Sequence, residues 1–148
     1  MLAGMSHHRL PENIRELSAL DPAIAADLVD LCCFESDRAR GCLTVLVCDS
    51  GGRMIQPVSI GEVPRRCPPG AGAALFGPLL ELAAELRGGL VVTIGKPRGR
   101  VDDDDRHWHQ TAIEQCRRAE VQLFGCYLAT LTRIIRLPDP KDEPALSC

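Results

Sequence analysis

"LVVTIGKPRGRVDDDDRHWH", residues 90–109, decides the architecture of this 148-residue chain. Its opening five residues form a short apolar strand, of the kind found at the centre of a sheet covered on both faces. Gly95, Pro97 and Gly99 then make a loop, and four consecutive aspartates lead into a helix over about residues 103–119. Acidic side chains suit the exposed N–H groups at that helix's start, and Arg117 and Arg118 suit its other pole. A strand that ends in such a loop and feeds a helix places ligands at the strand's carboxyl end.

Upstream, "CLTVLVCDSGGRMIQPVSI" reads as a hairpin: a β-rich run from Cys42 to Cys48, a tight turn at Asp49-Ser50-Gly51-Gly52, and a return strand. Pro57 lacks an N–H, which puts the return strand at a sheet edge or bulges it there. "AALFGPLLELAAELRGG" is a helix with Leu75, Leu79, Leu82 and Leu86 on one stripe. It closes at Gly88-Gly89, with Pro78 either kinking it or marking its beginning. Further upstream "PENIRELSALDPAIAADLVDLCC" is helical, with Asp21 as N-cap before Pro22, and "FESDRARG" breaks the pattern. Downstream, "VQLFGCYLAT" and "LTRIIRL" are strands. The expected order is αα-ββ-α-β-α-ββ, a mixed α/β (α+β) fold with helices packed on a sheet. It divides into an N-terminal helical segment (1–41), an α/β domain (42–137) and a flexible tail (138–148). The first ten residues are expected to fray, with Met5 an alternative start and His7-His8 solvated.

The composition suits one globular domain whose core is built from Leu, Val, Ile and Ala, since aromatic residues make up only 3%. A net charge of −3 gives no general attraction to phosphate backbones. The arginine clusters at Arg65-Arg66, residues 98–100 and Arg117-Arg118 therefore read as solvated faces, and a nucleic-acid partner is not expected. No run approaches the ~18 apolar residues of a membrane span, and the first residues lack an apolar signal core. Together these point to the cytoplasm, with the eight cysteines as free thiols. No C-x-x-C occurs, and Cys42 and Cys48 share one face of their strand.

Within the opening stretch, Asp105 and His109 are four apart and project from one helical face, so they could share a metal ion, zinc being the natural choice. His107 lies two positions from Asp105, roughly 200° around the helix, and joins such a site only weakly. The competing reading is that Asp102 to Asp105 cap the helix, that Trp108 anchors packing and that His109 and Cys116 face the core. Cys116 lies two turns from His109, about 10 Å along the axis, too far for direct proton transfer.

The hairpin "VLVCDSGGRMIQPVSIGEV", the helix "LLELAAEL", the strand "LVVTI", the loop "GKPRGRVDDDD", the helix "DRHWHQTAIEQCRRA" and the strand "VQLFGCYLAT" follow one another as in the JAB/MPN fold. The chain resembles its RadC-like bacterial branch over about residues 42–137. The resemblance implies an α/β sheet with cytidine-deaminase-like layering, although the H-x-E and P-C-x-x-C signatures of the deaminases are absent. Active members of the wider family are zinc peptidases with a motif H-x-H-P, six residues, S-x-x-D, and a distant glutamate as general base. On this chain Pro97 takes the prolyl position and Gly99 the glycine of the RadC form. The first histidine position falls on Ile94 and the second on Lys96, neither of which is a zinc ligand. By strict spacing the serine position is Asp104 and the aspartate position His107; with a loop two residues shorter they become Asp102 and Asp105. Glu62 is the candidate for the glutamate. The expectation is a non-catalytic JAB/RadC-like domain without a cofactor, binding a protein partner through the loop of Lys96, Pro97, Arg98, Gly99 and Arg100. The alternative is a metal-dependent hydrolase with a rearranged Asp105/His109 site.

Overall fold

The computed structural model describes residues 14–138. Five strands form one mixed sheet in the order β2-β1-β3-β4-β5. They are β1 (Cys42–Cys48), β2 (Met54–Gly61), β3 (Gly89–Gly95), β4 (Gln122–Ala129) and β5 (Ile134–Arg136). Helices α1 (Pro22–Cys32), α2 (Glu35–Arg40), α3 (Ala71–Glu85) and α4 (Asp103–Ala119) accompany it. This is the mixed α/β class the sequence predicts. No helix among the described residues is long and apolar enough to cross a membrane. The first residues, expected to fray, with His7-His8, and the tail from residue 139 lie outside the described residues.

β3 is the middle strand, antiparallel to β1 and parallel to β4, and every one of its residues is buried. Alternation along β1 and β3 sends side chains into two cores. Leu43, Val45, Val47, Leu90, Val92 and Ile94 face one that contains Phe76, Leu80, Trp108, Ala112 and Cys116 of α3 and α4. Cys42, Leu46, Cys48 and Val91 face another, made with Ala25, Leu28, Val29 and Cys32 of α1. The N-terminal helices thus form the sheet's second covering layer.

The hairpin turn is held by the Asp49 carboxylate, which accepts from the amides of Gly51 and Arg53, both at 2.9 Å. Gly52 takes φ +84° there, a conformation that costs glycine nothing. β2 is an edge strand, with Pro57 opposite Leu46 and a register shift next to it, between Val47 and Cys48. Pro78 lies inside α3 and neither starts nor ends it. It stands on the solvent side, as does Ala74 one turn back, so the carbonyl that loses its helical donor faces water. The left-handed residue closing α3 is Arg87, φ +54°, rather than a glycine. Gly88 is needed for a different reason: a Cβ there would run into the Cys48 carbonyl oxygen.

The N-terminal segment departs from the expected helical pair. Ile14–Glu16 is a single 3-10 turn, and Ser18 then bridges to Arg53 as extended chain. α1 begins at Pro22 behind the Asp21 cap, whose carboxylate accepts from the Ala23 amide at 2.9 Å. The stretch read as a break is itself α2, whose one buried side chain is Arg38.

Thr93, in the middle of the central strand, is fully buried, and its hydroxyl has no hydrogen-bond partner. A buried unsatisfied hydroxyl costs about 1–3 kcal/mol. Thr93→Val keeps the shape and β-branching, so it is expected to raise stability by about 1 kcal/mol, read as a higher urea midpoint at unchanged slope.

Candidate functional site

The carboxyl end of β3 is fixed to β4 and its following turn. The Lys96 amide donates to the Ala129 carbonyl at 3.1 Å, and the Leu131 amide donates to the Pro97 carbonyl at 3.1 Å. Gly99, at φ +109°, turns the chain back, and the lysine side chain curls under this loop. Its Nζ donates to Asp105 Oδ2 at 2.7 Å, to Asp102 Oδ2 at 3.1 Å and to the Arg100 carbonyl at 2.7 Å.

The same two aspartates cap α4. Asp102 Oδ1 accepts from the Asp105 amide at 2.9 Å, and Asp105 Oδ2 accepts from the Asp102 amide at 3.0 Å, a reciprocal capping box. Asp102 is therefore N-cap and Asp105 the third helical residue. The outer aspartates meet arginines: Arg65 reaches Asp102 and Asp104, Arg66 reaches Asp104, and Arg106 reaches Asp103. The arginine pair that the sequence reading assigns to a solvated face is thus partly engaged with carboxylates. Trp108 is buried, and its Nε1 donates to the carbonyls of Pro64 and Arg65 at 3.1 and 3.0 Å. It is the packing anchor expected and also positions the arginine-bearing loop.

Between these parts lies a cleft of about 170 Å³. Ile94, Gly95, Lys96 and Pro97 form one wall, Asp105 and Trp108 another, and residues 39–42 and 63–65 the rest. Lys96 retains 16% side-chain exposure and Asp105 only 5%, so the ion pair is largely withdrawn from water. Pro97, Arg98, Gly99 and Arg100 are exposed on the rim.

The three residues read as potential metal ligands are distributed differently. Asp105 lines this cleft; His107 lines a separate hollow with Cys67, Gly72 and Thr111, and also borders a third, where buried His109 stands with Asp103, Arg106 and Pro138. Glu62 lies outside the Lys96 cleft, in a shallow depression with Asp37 and Arg40. Among the described residues no group of three or more His, Cys, Asp or Glu side chains is arranged to hold a metal ion. Zinc does not fit the Lys96 cleft as it stands, since an ammonium group occupies the aspartate that would ligate it.

Sequence reasoning missed Arg38. It is buried, and its guanidinium donates to the carbonyls of Cys33 (2.7 Å), Thr130 (2.9 Å) and Asp30 (3.1 Å) and to the Asp30 carboxylate (3.0 Å). This ties α1, α2 and the end of β4 together behind the cleft. The only local signal is a charged residue in a short polar stretch, which the surface produces everywhere.

No family model matches the chain, and neither the search of curated proteins nor that of solved structures finds a match.

Burial pulls the Lys96 pKa down, but Asp105 and Asp102 outweigh it and hold it above the ordinary 10.5. Burial likewise pushes the Asp102 carboxyl up, and the Asp105 amide and the Lys96 ammonium outweigh that, holding it below 3.8. Stability from Asp102 is therefore complete above 3.8 and lost as the pH falls through its lower folded-state value; that from Lys96 is complete below 10.5 and lost as the pH rises through its higher one. Lys96→Met is expected to cost about 3 kcal/mol at neutral pH, because it leaves the Asp105 charge buried without its cation. Urea denaturation at about pH 7 and about pH 3 should show the difference between variant and wild type shrinking in acid.

Proposed function

We propose that this chain is a non-catalytic JAB/RadC-like domain that acts by binding another protein at the rim of the Lys96 cleft. One observation carries the reading. Ile94, Lys96 and Asp105, the positions that the family motif gives to two histidines and an aspartate, line one cleft although Asp105 is nine residues beyond Lys96. His107, the aspartate position under strict spacing, lines a different hollow, which supports the register with the shorter loop. The order of elements from β1 to β4 also agrees with the order on which the resemblance rests.

In this reading the family's chemistry has been lost by replacing the ligands. Ile94 has no lone pair to offer, and Lys96 brings its own positive charge to the carboxylate. What remains is a firmly tethered loop presenting Pro97, Arg98, Gly99 and Arg100, beside Leu131, which is 44% exposed. An apolar side chain rimmed by arginines is a composition favoured at protein contacts.

Metal analysis tests the proposal. The wild-type chain is expected to hold no stoichiometric zinc at this cleft. The double variant Ile94→His with Lys96→His is expected to take up one zinc per chain and to lose it when Asp105→Ala is added. Stoichiometric zinc in the wild type that disappears on replacing Asp105 and His109 together would overturn the reading in favour of a rearranged metal site.

A further inference from the structure

On the far wall of the Lys96 cleft stands Cys42, the first residue of β1. Its sulfur lies 3.6 Å from that of Cys33, the C-cap residue of α1. Thr44 Oγ1 is 3.9 Å from Cys42 Sγ. The two cysteines are nine apart in sequence and belong to different elements, so only the tertiary fold makes them neighbours. Two further features hold them there. The Arg38 guanidinium fixes the Cys33 carbonyl at 2.7 Å. Gly95 of β3 leaves open the space the sulfurs need, since a Cβ at that position would run into Cys42 Sγ and come within 3.3 Å of Cys33 Sγ.

We propose that Cys33 and Cys42 form an oxidisable dithiol, converted to a disulfide by hydrogen peroxide arriving through the Lys96 cleft. The inference is independent of the reading given under Proposed function, because it uses only the cleft and the two sulfurs. Cys33 and Cys42 are 0% and 1% exposed, so the oxidant must be nearly as small as water, and peroxide meets that limit. The sulfurs must close from 3.6 Å to the roughly 2.05 Å of a disulfide.

The chemistry balances as follows. The Cys33 thiol gives its proton to solvent, and the thiolate, beside Cys42 at the cleft wall, attacks one peroxide oxygen; the O–O bond breaks and hydroxide leaves, taking a proton from solvent to become water. Cys42, which its hydrogen bond to Cys33 and its burial keep protonated until then, attacks the Cys33 sulfenic acid; the S–O bond breaks, and the departing hydroxide carries away the Cys42 proton as a second water. Two thiols and one peroxide give one disulfide and two waters, with two electrons moving from sulfur to oxygen. The surroundings favour this pair over the other thiols. The Cys42 hydrogen bond, aided by Thr44 and Arg38 against the cost of burial, draws the Cys33 thiol well below its ordinary value. Burial instead pushes Cys32 up to about 11, and Cys48 and Cys116 up to about 12, keeping them protonated and inert. The disulfide would close a loop containing α2 and so restrain Arg40 and Gly41, which line the same cleft.

Peptide mapping of the full-length protein, treated with hydrogen peroxide and digested with trypsin, tests the proposal. The expected result is a loss of about 2 Da, reversed by dithiothreitol, and a cross-link between peptides 16–38 and 41–53. Those peptides also hold Cys32 and Cys48, so four single serine variants assign the bond. Cys33→Ser and Cys42→Ser should each abolish the link, while Cys32→Ser and Cys48→Ser should keep it. Loss of the link in Cys32→Ser with retention in Cys33→Ser would overturn the proposal. So would wild-type protein that gains oxygen at sulfur, or stays unchanged, without forming the link; this outcome needs no variant to fold.

Discussion

The ammonium group of Lys96 is the interaction on which the rest of this end of the molecule depends. It bonds at once to the N-cap of α4, to the third residue of that helix and to the carbonyl of Arg100. α4 is therefore fixed to the sheet at its first turn as well as along its packed length. Two carboxylates in one capping box repel each other, and burial of Asp105 sharpens that repulsion. A cation placed between them turns a local conflict into a clamp. Because Lys96 is the first residue after the central strand, the clamp ties the helix to the most rigid part of the fold.

That rigidity comes from burial on both faces of β3. With α1 on one side and α3 and α4 on the other, the strand has no solvent-facing position. Tolerance for polar atoms there is low, and the unbonded Thr93 hydroxyl is the exception. Close approach of backbone also decides residue identity. Gly88 passes the Cys48 carbonyl and Gly95 passes the Cys42 sulfur. At both ends of β3 the glycines answer a spatial demand of the neighbouring β1, not a turn.

What was legible in the sequence follows the range of the forces involved. The hairpin was readable because Asp49, Gly51 and Gly52 settle its turn within a few residues. α4 was readable to its limits because aspartates at one end and arginines at the other address the helix's own exposed groups. The short helix α2 was not, because "ESDRAR" carries no apolar stripe and is organised around one buried guanidinium whose acceptors include Thr130, 92 residues away. At the site, the loop and the capping role of the aspartate run could be named from the sequence, but not that Asp102 and Asp105 are the pair that closes the capping box. Their engagement by Lys96, Arg65 and Arg66, and the meeting of Cys33 with Cys42, depend on how distant segments pack, to which local pattern is blind.

The charge balance of the acidic run bears on what the cleft is for. Four aspartates, Asp102 to Asp105, are matched by four cations in contact with them: Lys96, Arg65, Arg66 and Arg106. An acidic cluster built to receive a divalent ion leaves its carboxylates short of cations until the ion arrives. Here the protein supplies the compensation itself, most tightly at Asp105, where the cation is least exposed to water. A metal ion entering the cleft would have to displace Lys96, strand its charge in a largely buried place and loosen the cap of α4. The same pairing that makes the helix start rigid therefore opposes metal binding, and it leaves the exposed arginines at the rim, Arg98 and Arg100, as the cations of that loop that face solvent.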